Sequence, residues 1–197
     1  NWIQEGKRYG FPWRFGIFDN PQQFPAYDPS KDKHLNPDFV AVQRGTYAND
    51  PSYPAAPGGF TDPVTNLGPA AAQYRADDGS QHDAAAEAKP LNTFTPHRSP
   101  LGLVFATDAG LPADLQPAAG GLSAFLTSWG SAGGTLTDKG QDLLHLSLTK
   151  DGDHYSAITT QIGRDFKNPI DAVMIGTKLY ILEFGGDGAI WEITFGQ

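Results

Sequence analysis

From residue 100 onward, apolar and polar positions fall into short runs separated by turn residues, which is the mark of strands rather than helices. Residues 101–106 form an apolar run and residues 123–129 a second. Residues 143–149 alternate, with Leu144, Leu146 and Leu148 on one face and His145, Ser147 and Thr149 on the other. On that alternation His145 faces away from the core leucines and carries no special role. Residues 155–162 are rich in β-branched side chains, which favours a fourth strand. The intervening Lys150-Asp151-Gly152-Asp153 predicts a hairpin turn.

The pattern then restarts. Residues 170–175 are apolar, Gly176-Thr177 turns, residues 179–184 form the next strand, Gly185 to Gly188 turns again, and residues 189–195 close the series. Four strands followed by three, at the spacing of a meander, predict an all-β fold built from β-propeller blades. The restart interval of about 70 residues is longer than the ~40–50 of common propeller repeats. Two blades cannot close a ring, and a single blade has two faces that need neighbours. The last strand is also an open edge unless another segment pairs with it. A missing N-terminal half or another chain is therefore expected to complete the propeller.

The first ninety residues have a different texture. Residues 1–18 form an aromatic, turn-rich segment. Residues 19–90 form a long irregular stretch of Pro, Asp, Ala and Gly, expected to act as a loop that wraps a neighbour. The expected organisation is thus an aromatic turn at 1–18, a long loop at 19–90, a four-stranded blade at 91–163 and an incomplete closing blade at 164–197.

Composition narrows the function classes. At 39% hydrophobic, 12% aromatic and 18% charged residues the chain can build a core. A net charge of −8 argues against nucleic acid as partner, because phosphate binding needs a basic surface. No apolar run has the ~18 residues that a spanning helix requires. The absence of cysteine excludes disulfides, thiolate catalysis and zinc–cysteine sites.

Four segments carry a family resemblance. Gly6-Lys-Arg-Tyr-Gly-Phe-Pro-Trp13 resembles the Gly-x-Asn-Tyr-Gly-Trp-Pro motif of glucose/sorbosone dehydrogenases. Thr95-Pro-His-Arg-Ser-Pro-Leu-Gly-Leu-Val-Phe105 resembles their Pro-Leu-Gly-Leu strand. Ala124-Phe-Leu-Thr-Ser-Trp-Gly-Ser131 resembles a third strand. Asn168-Pro-Ile-Asp-Ala-Val with 178–183 and 189–193 resembles the closing blade. The resemblance implies the C-terminal portion of a six-bladed propeller, about two of its blades, in a periplasmic or extracellular protein. It also implies sugar or alcohol oxidation with pyrroloquinoline quinone (PQQ) and calcium. The family's catalytic base would lie outside this chain, and its paired-arginine motif reads Phe166-Lys167-Asn168-Pro169 here. A non-catalytic binding or assembly module is the alternative.

In a propeller, the loop that enters each innermost strand sits at one mouth of the channel. Those loops would carry His97 and Arg98 in one blade and Arg164 and Lys167 in the next. In an acidic chain, these four are the expected binders of an anionic cofactor or substrate, through charge-assisted hydrogen bonds. Surface charge, or pairing with Asp165 and Asp171, is the plainer reading. By resemblance, the backbone at Tyr9 would ligate calcium; plain aromatic packing is the alternative. Asp77, Asp78, His82 and Asp83, like Asp28 and Asp32, lack EF-hand spacing and read as solvated loop. Trp129-Gly130-Ser131 lacks the nucleophile-elbow pattern, and Gly185 to Gly188 matches no phosphate loop.

Overall fold

In a computed structural model, residues 1–33, 35, 52–106, 110–130 and 136–196 are described. Residues 34 and 36–51 of the expected loop at 19–90, and Ser131 of the Trp-Gly-Ser phrase, lie outside the described residues. The architecture is all-β: short 3-10 turns are the only helical elements among the described residues. The chain divides into two compact units.

The smaller unit comprises Asn1–Val64 with Arg75–His82. Its first strands, β1 (Arg14–Phe15) and β2 (Phe18–Asp19), make a minimal antiparallel pair. Asn20 and Asp28 cap two 3-10 turns, Pro21–Gln23 and Pro29–Lys31, by accepting from backbone N–H groups. Proline opens each turn, where its missing N–H costs nothing. Polar ties hold the aromatic segment: Trp13 Nε1 donates to the Pro54 carbonyl at 2.7 Å, and the Tyr53 hydroxyl donates to that of Pro12 at 2.9 Å. Trp13 also stacks on Phe60.

The larger unit, Thr65–Tyr74 with Asp83–Gln197, carries the remaining strands, of which the sequence pattern predicts those from residue 100 onward. They are β3 (Thr65–Pro69), β4 (Gln73–Arg75), β5 (Gln81–Asp83), β6 (Pro100–Phe105), β7 (Leu122–Ser128), β8 (Asp142–Asp151), β9 (His154–Gly163), β10 (Pro169–Ile175), β11 (Lys178–Glu183) and β12 (Ile190–Thr194). The tip of the small β4–β5 pair falls within the first unit. The β8–β9 and β10–β11 hairpins turn at Gly152-Asp153 and Gly176-Thr177, where positive φ at the glycines permits a tight reversal.

The first principal sheet has the order β3-β9-β8-β7-β6. Its four C-terminal strands form the expected meander. The fifth is a correction: Thr65–Pro69, within the stretch read as irregular, adds in parallel to β9. A five-residue strand interrupted by glycine and ended by proline is too short and too broken to show a two-residue period. The second principal sheet is β10-β11-β12, a three-stranded meander.

The two sheets repeat one design. β6 and β10 each begin at a proline preceded by a residue with positive φ, Ser99 and Asn168. Each has a register shift just after that proline, between Pro100 and Leu103 and between Pro169 and Asp171. Aligning the prolines and bulges matches β6, β7 and β8 with β10, β11 and β12. Little literal sequence is shared; the common features are a backbone conformation and a bulge.

The sheets meet where β10 lies against β6 and β7. Gly102 makes the closest approach possible, since a Cβ there would stand 2.8 Å from the Ala172 nitrogen and from the Asp171 Cα. Between the sheets sits the core: Phe125, Leu143, Leu179 and Ile181 are at most 1% exposed, with Leu111 and Leu115 closing one side. The arrangement, two meanders packed face to face with β10 against β6 and β7, is consistent with adjoining propeller blades. No closed barrel forms among the described residues.

Candidate functional site

The loops that enter β6 and β10, together with those that leave β7, β9 and β11, project from the same ends of the two sheets. Antiparallel alternation places them there. This mouth carries the four basic residues singled out from the sequence, and the fold treats them unequally.

Arg98 is 1% exposed and forms ion pairs with Asp138 and with Asp142, which is itself fully buried. Its guanidinium also reaches Ser128 Oγ at 3.4 Å. Gln161 Nε2 donates to Asp142 at 2.6 Å, and Thr95 Oγ1 donates to Asp138 at 2.5 Å. Arg98, expected among the cofactor-binding residues, thus spends its charge on two carboxylates of the chain itself. The physical reason is that a buried guanidinium needs carboxylates to offset its desolvation, and two are supplied from within the chain. The network still shapes the mouth. The carbonyls of Arg98 and Ser99 accept from Gly130 N and Trp129 N at 2.9 and 3.0 Å, so Arg98 fixes the loop that presents Trp129.

His97, Arg164 and Lys167 are exposed. His97 sits at φ 71°, held out between the buried Thr95 and Arg98. Arg164 approaches Asp165 at 3.8 Å with both side chains at least 80% exposed, so solvent screens that pair. Lys167 is held by its backbone: its N–H donates to the buried Glu183 carboxylate at 2.5 Å and its carbonyl accepts from Gly185 N at 2.9 Å. Gly185 is required here, because a Cβ would stand 2.6 Å from Asn168 Oδ1. The Asn168 side chain donates to the Trp129 carbonyl at 3.1 Å and so joins the two sheets' loops. Phe184, 70% exposed, packs against Trp129 with ring centroids 5.6 Å apart. Sequence reasoning missed this aromatic pair, which lies 55 positions apart and meets only through the sheet packing.

His145 is corrected as well. It does face away from Leu144, but both faces of β8 are covered there, and it is 3% exposed beside Phe125. Its Nε2 shares a hydrogen bond of 2.8 Å with Ser123 Oγ. Burial holds its pKa below the ordinary 6.5, opposed in part by the Leu115 backbone and by Asp114. The folded protein keeps His145 neutral, whereas the unfolded chain takes up a proton as pH falls through 6.5. Stability contributed by this site is thus complete above that value and is lost as pH falls toward the lower folded pKa. We expect the urea midpoint to drop between pH 7 and pH 5, and the His145→Gln variant to lack that component.

In the smaller unit, the Tyr9 hydroxyl accepts from Gln4 N at 2.6 Å and donates to the Trp2 carbonyl at 2.9 Å, a packing role for this aromatic segment. The acidic residues serve turns. Asp28 accepts from Ser30, and with Lys31 beside it its pKa falls to about 2. Asp32 accepts from Tyr27 Oη, and Asp78 accepts from both Ser80 N and Oγ, which holds its pKa below the usual range. Asp83, in the larger unit, caps Ala85 N, while His82 meets Ser80 Oγ at 2.7 Å. Among the described residues, no three His, Asp or Glu side chains gather as a metal would require. No protein family, curated protein or solved structure matches the chain.

Proposed function

We propose that this chain is a binding and assembly module of β-propeller type, two adjoining sheets of a radial stack that other sheets complete. The observation that carries this reading is exposed apolar surface in two places, along β6 and on the outer face of the second sheet. Leu101, Leu103 and Phe105 of β6 are 44–53% exposed on one sheet, and Val173, Ile175, Leu182 and Ile190 are 41–72% exposed on the other. In the aligned repeat, Leu103 and Phe105 correspond to Ala172 and Met174, and Val104 corresponds to Val173. The apolar side chains left open on β6 and on the second sheet thus lie on the sides that correspond, across the repeat, to those the two sheets bury against each other. Contiguous exposed apolar surface of this kind marks interaction sites. The pairing of Arg98 with the two carboxylates Asp138 and Asp142 supports the same reading, since that arginine is consumed in holding a loop.

Sedimentation across a range of concentrations tests it. The isolated chain is expected to associate through these faces, and the double variant Val173→Asp, Ile190→Asp is expected to sediment as a monomer. A wild-type chain that stays monomeric at high concentration argues against the proposal.

A second reading rests on the exposed His97, Arg164 and Lys167 at one end of an acidic molecule. It is a sugar or alcohol oxidoreductase-like propeller of an extracytoplasmic protein, similar to glucose/sorbosone dehydrogenases. In it these three groups would meet anionic PQQ, with calcium supplied elsewhere in the completed ring. Dye-linked sugar oxidation with added PQQ and calcium, lost on His97→Ala, would favour that reading over the first.

A further inference from the structure

The repeat says what should lie beside the last strand. In the first sheet, the strand that matches β12 is β8, and β8 has a further antiparallel neighbour, β9. In the second sheet the corresponding place beside β12 has no strand among the described residues. We propose that the free edge of β12 binds an extended strand from a separate polypeptide, antiparallel and in the register that β9 adopts on β8. This rests on the assembly reading and names the partner's chemistry at that edge.

The backbone of β12 is prepared for this. Glu183 N donates to the Ala189 carbonyl at 2.8 Å, which fixes that pair as a hydrogen-bonded one. Alternation along the uninterrupted β11–β12 register then turns the N–H and C=O groups of Ile190, Glu192 and Thr194 away from β11, toward the open edge. Natural edges are blunted by proline, lysine or a bulge. β6 and β10, the first strands of the sheets, carry both a proline and a bulge. β12 reads Ile-Trp-Glu-Ile-Thr and carries none of these. Its Trp191 packs edge-on against Phe166 yet remains 50% exposed, and Ile190 is 72% exposed.

The pairing of β8 with β9 sets the partner's pattern. Leu144, His145 and Leu146 correspond to Trp191, Glu192 and Ile193, and they pair with Gln161, Thr160 and Thr159. The incoming strand therefore has β-branched residues and places a hydroxyl or basic donor opposite Glu192. That carboxylate already accepts from Lys178 Nζ at 2.5 Å and Tyr180 Oη at 2.7 Å, and so is held in place for a third donor. A second copy of β12 is the poorer occupant. The antiparallel register that engages all three outward residues of both copies sets Glu192 directly against Glu192, and like charges directly opposite are destabilising.

The test uses the whole chain and a peptide with the sequence His154–Gly163, the strand that the repeat nominates. Amide exchange at Ile190, Glu192 and Thr194 is expected to slow about tenfold or more on adding the peptide, by the ordinary effect of one new hydrogen bond each. A peptide with Glu in place of the residue that meets Glu192, Thr160→Glu, is expected to lose this protection. Glu192→Pro removes one outward N–H while sparing the ladder to β11, so it should abolish peptide protection of Ile190 and Thr194 with little change in melting temperature. His154–Gly163 peptide that leaves all three amides unprotected overturns the inference. Protection that rises with protein concentration alone also overturns it, by showing that a second copy takes the edge. If the chain associates in sedimentation while these amides stay unprotected, the edge inference fails and the assembly reading survives.

Discussion

Asp142→Ala is expected to destabilise the protein by about 3–5 kcal/mol, because it strands a buried guanidinium. Asp142 is fully buried and shares Arg98 with Asp138, which keeps 17% exposure. Once Asp142 is lost, one solvent-touched carboxylate remains to offset an arginine that is 1% exposed. Gln161 also loses the acceptor for its side-chain N–H. The cost is specific to unpairing, so replacing the charges together should behave differently. Arg98→Met with Asp142→Leu fills similar volume with apolar atoms and is expected to recover most of the loss. Among the described residues the Arg98 Nε has no acceptor, which favours that recovery. Urea unfolding of the two variants beside the wild type separates the outcomes. If Asp142→Ala costs less than about 1 kcal/mol, water reaches the network and the burial argument fails.

Phe125→Ala is expected to cost about 3–5 kcal/mol, the range for emptying a buried aromatic site. Phe125 is fully buried on β7 and faces the second sheet. Its ring stacks on Phe195 at 5.0 Å between centroids and lies 5.5 Å from the His145 ring. Phe195 follows β12, so the stack ties the end of the last strand to the centre of the first sheet. Loss of the ring should loosen the second sheet first. Amide exchange at Leu179 and Ile181 is expected to accelerate more than at Leu144 or Ala157, which lie on the other face of the first sheet. Equal acceleration at all four positions would mean that the two sheets unfold as one unit.

The local terms of the fold were legible in the chain. Short apolar, β-branched or alternating runs marked β6 through β12, and Gly152-Asp153 and Gly176-Thr177 marked two hairpins, because side-chain pattern and a positive-φ glycine are properties of neighbouring residues. β3 was hidden, since it pairs in parallel with a strand some ninety positions away and carries glycine and proline within five residues. The candidate site divided in the same way. Local sequence placed His97, Arg98, Arg164 and Lys167 at strand-entering loops. It did not distinguish the exposed three from Arg98, whose carboxylate partners are 40 and 44 positions away.

What the sequence by itself determined is therefore the strands from residue 100 onward, their turns and the positions of charge along the chain, each set by interactions within a few residues. Which charges face solvent was decided by the tertiary structure alone. So was the burial of His145 on the face that alternation left polar, because the Asp114–Leu115 segment and the Phe125 ring lie beside it. Burial is a property of surfaces brought together by packing, and a pattern read along one strand does not contain the strand that lands on it.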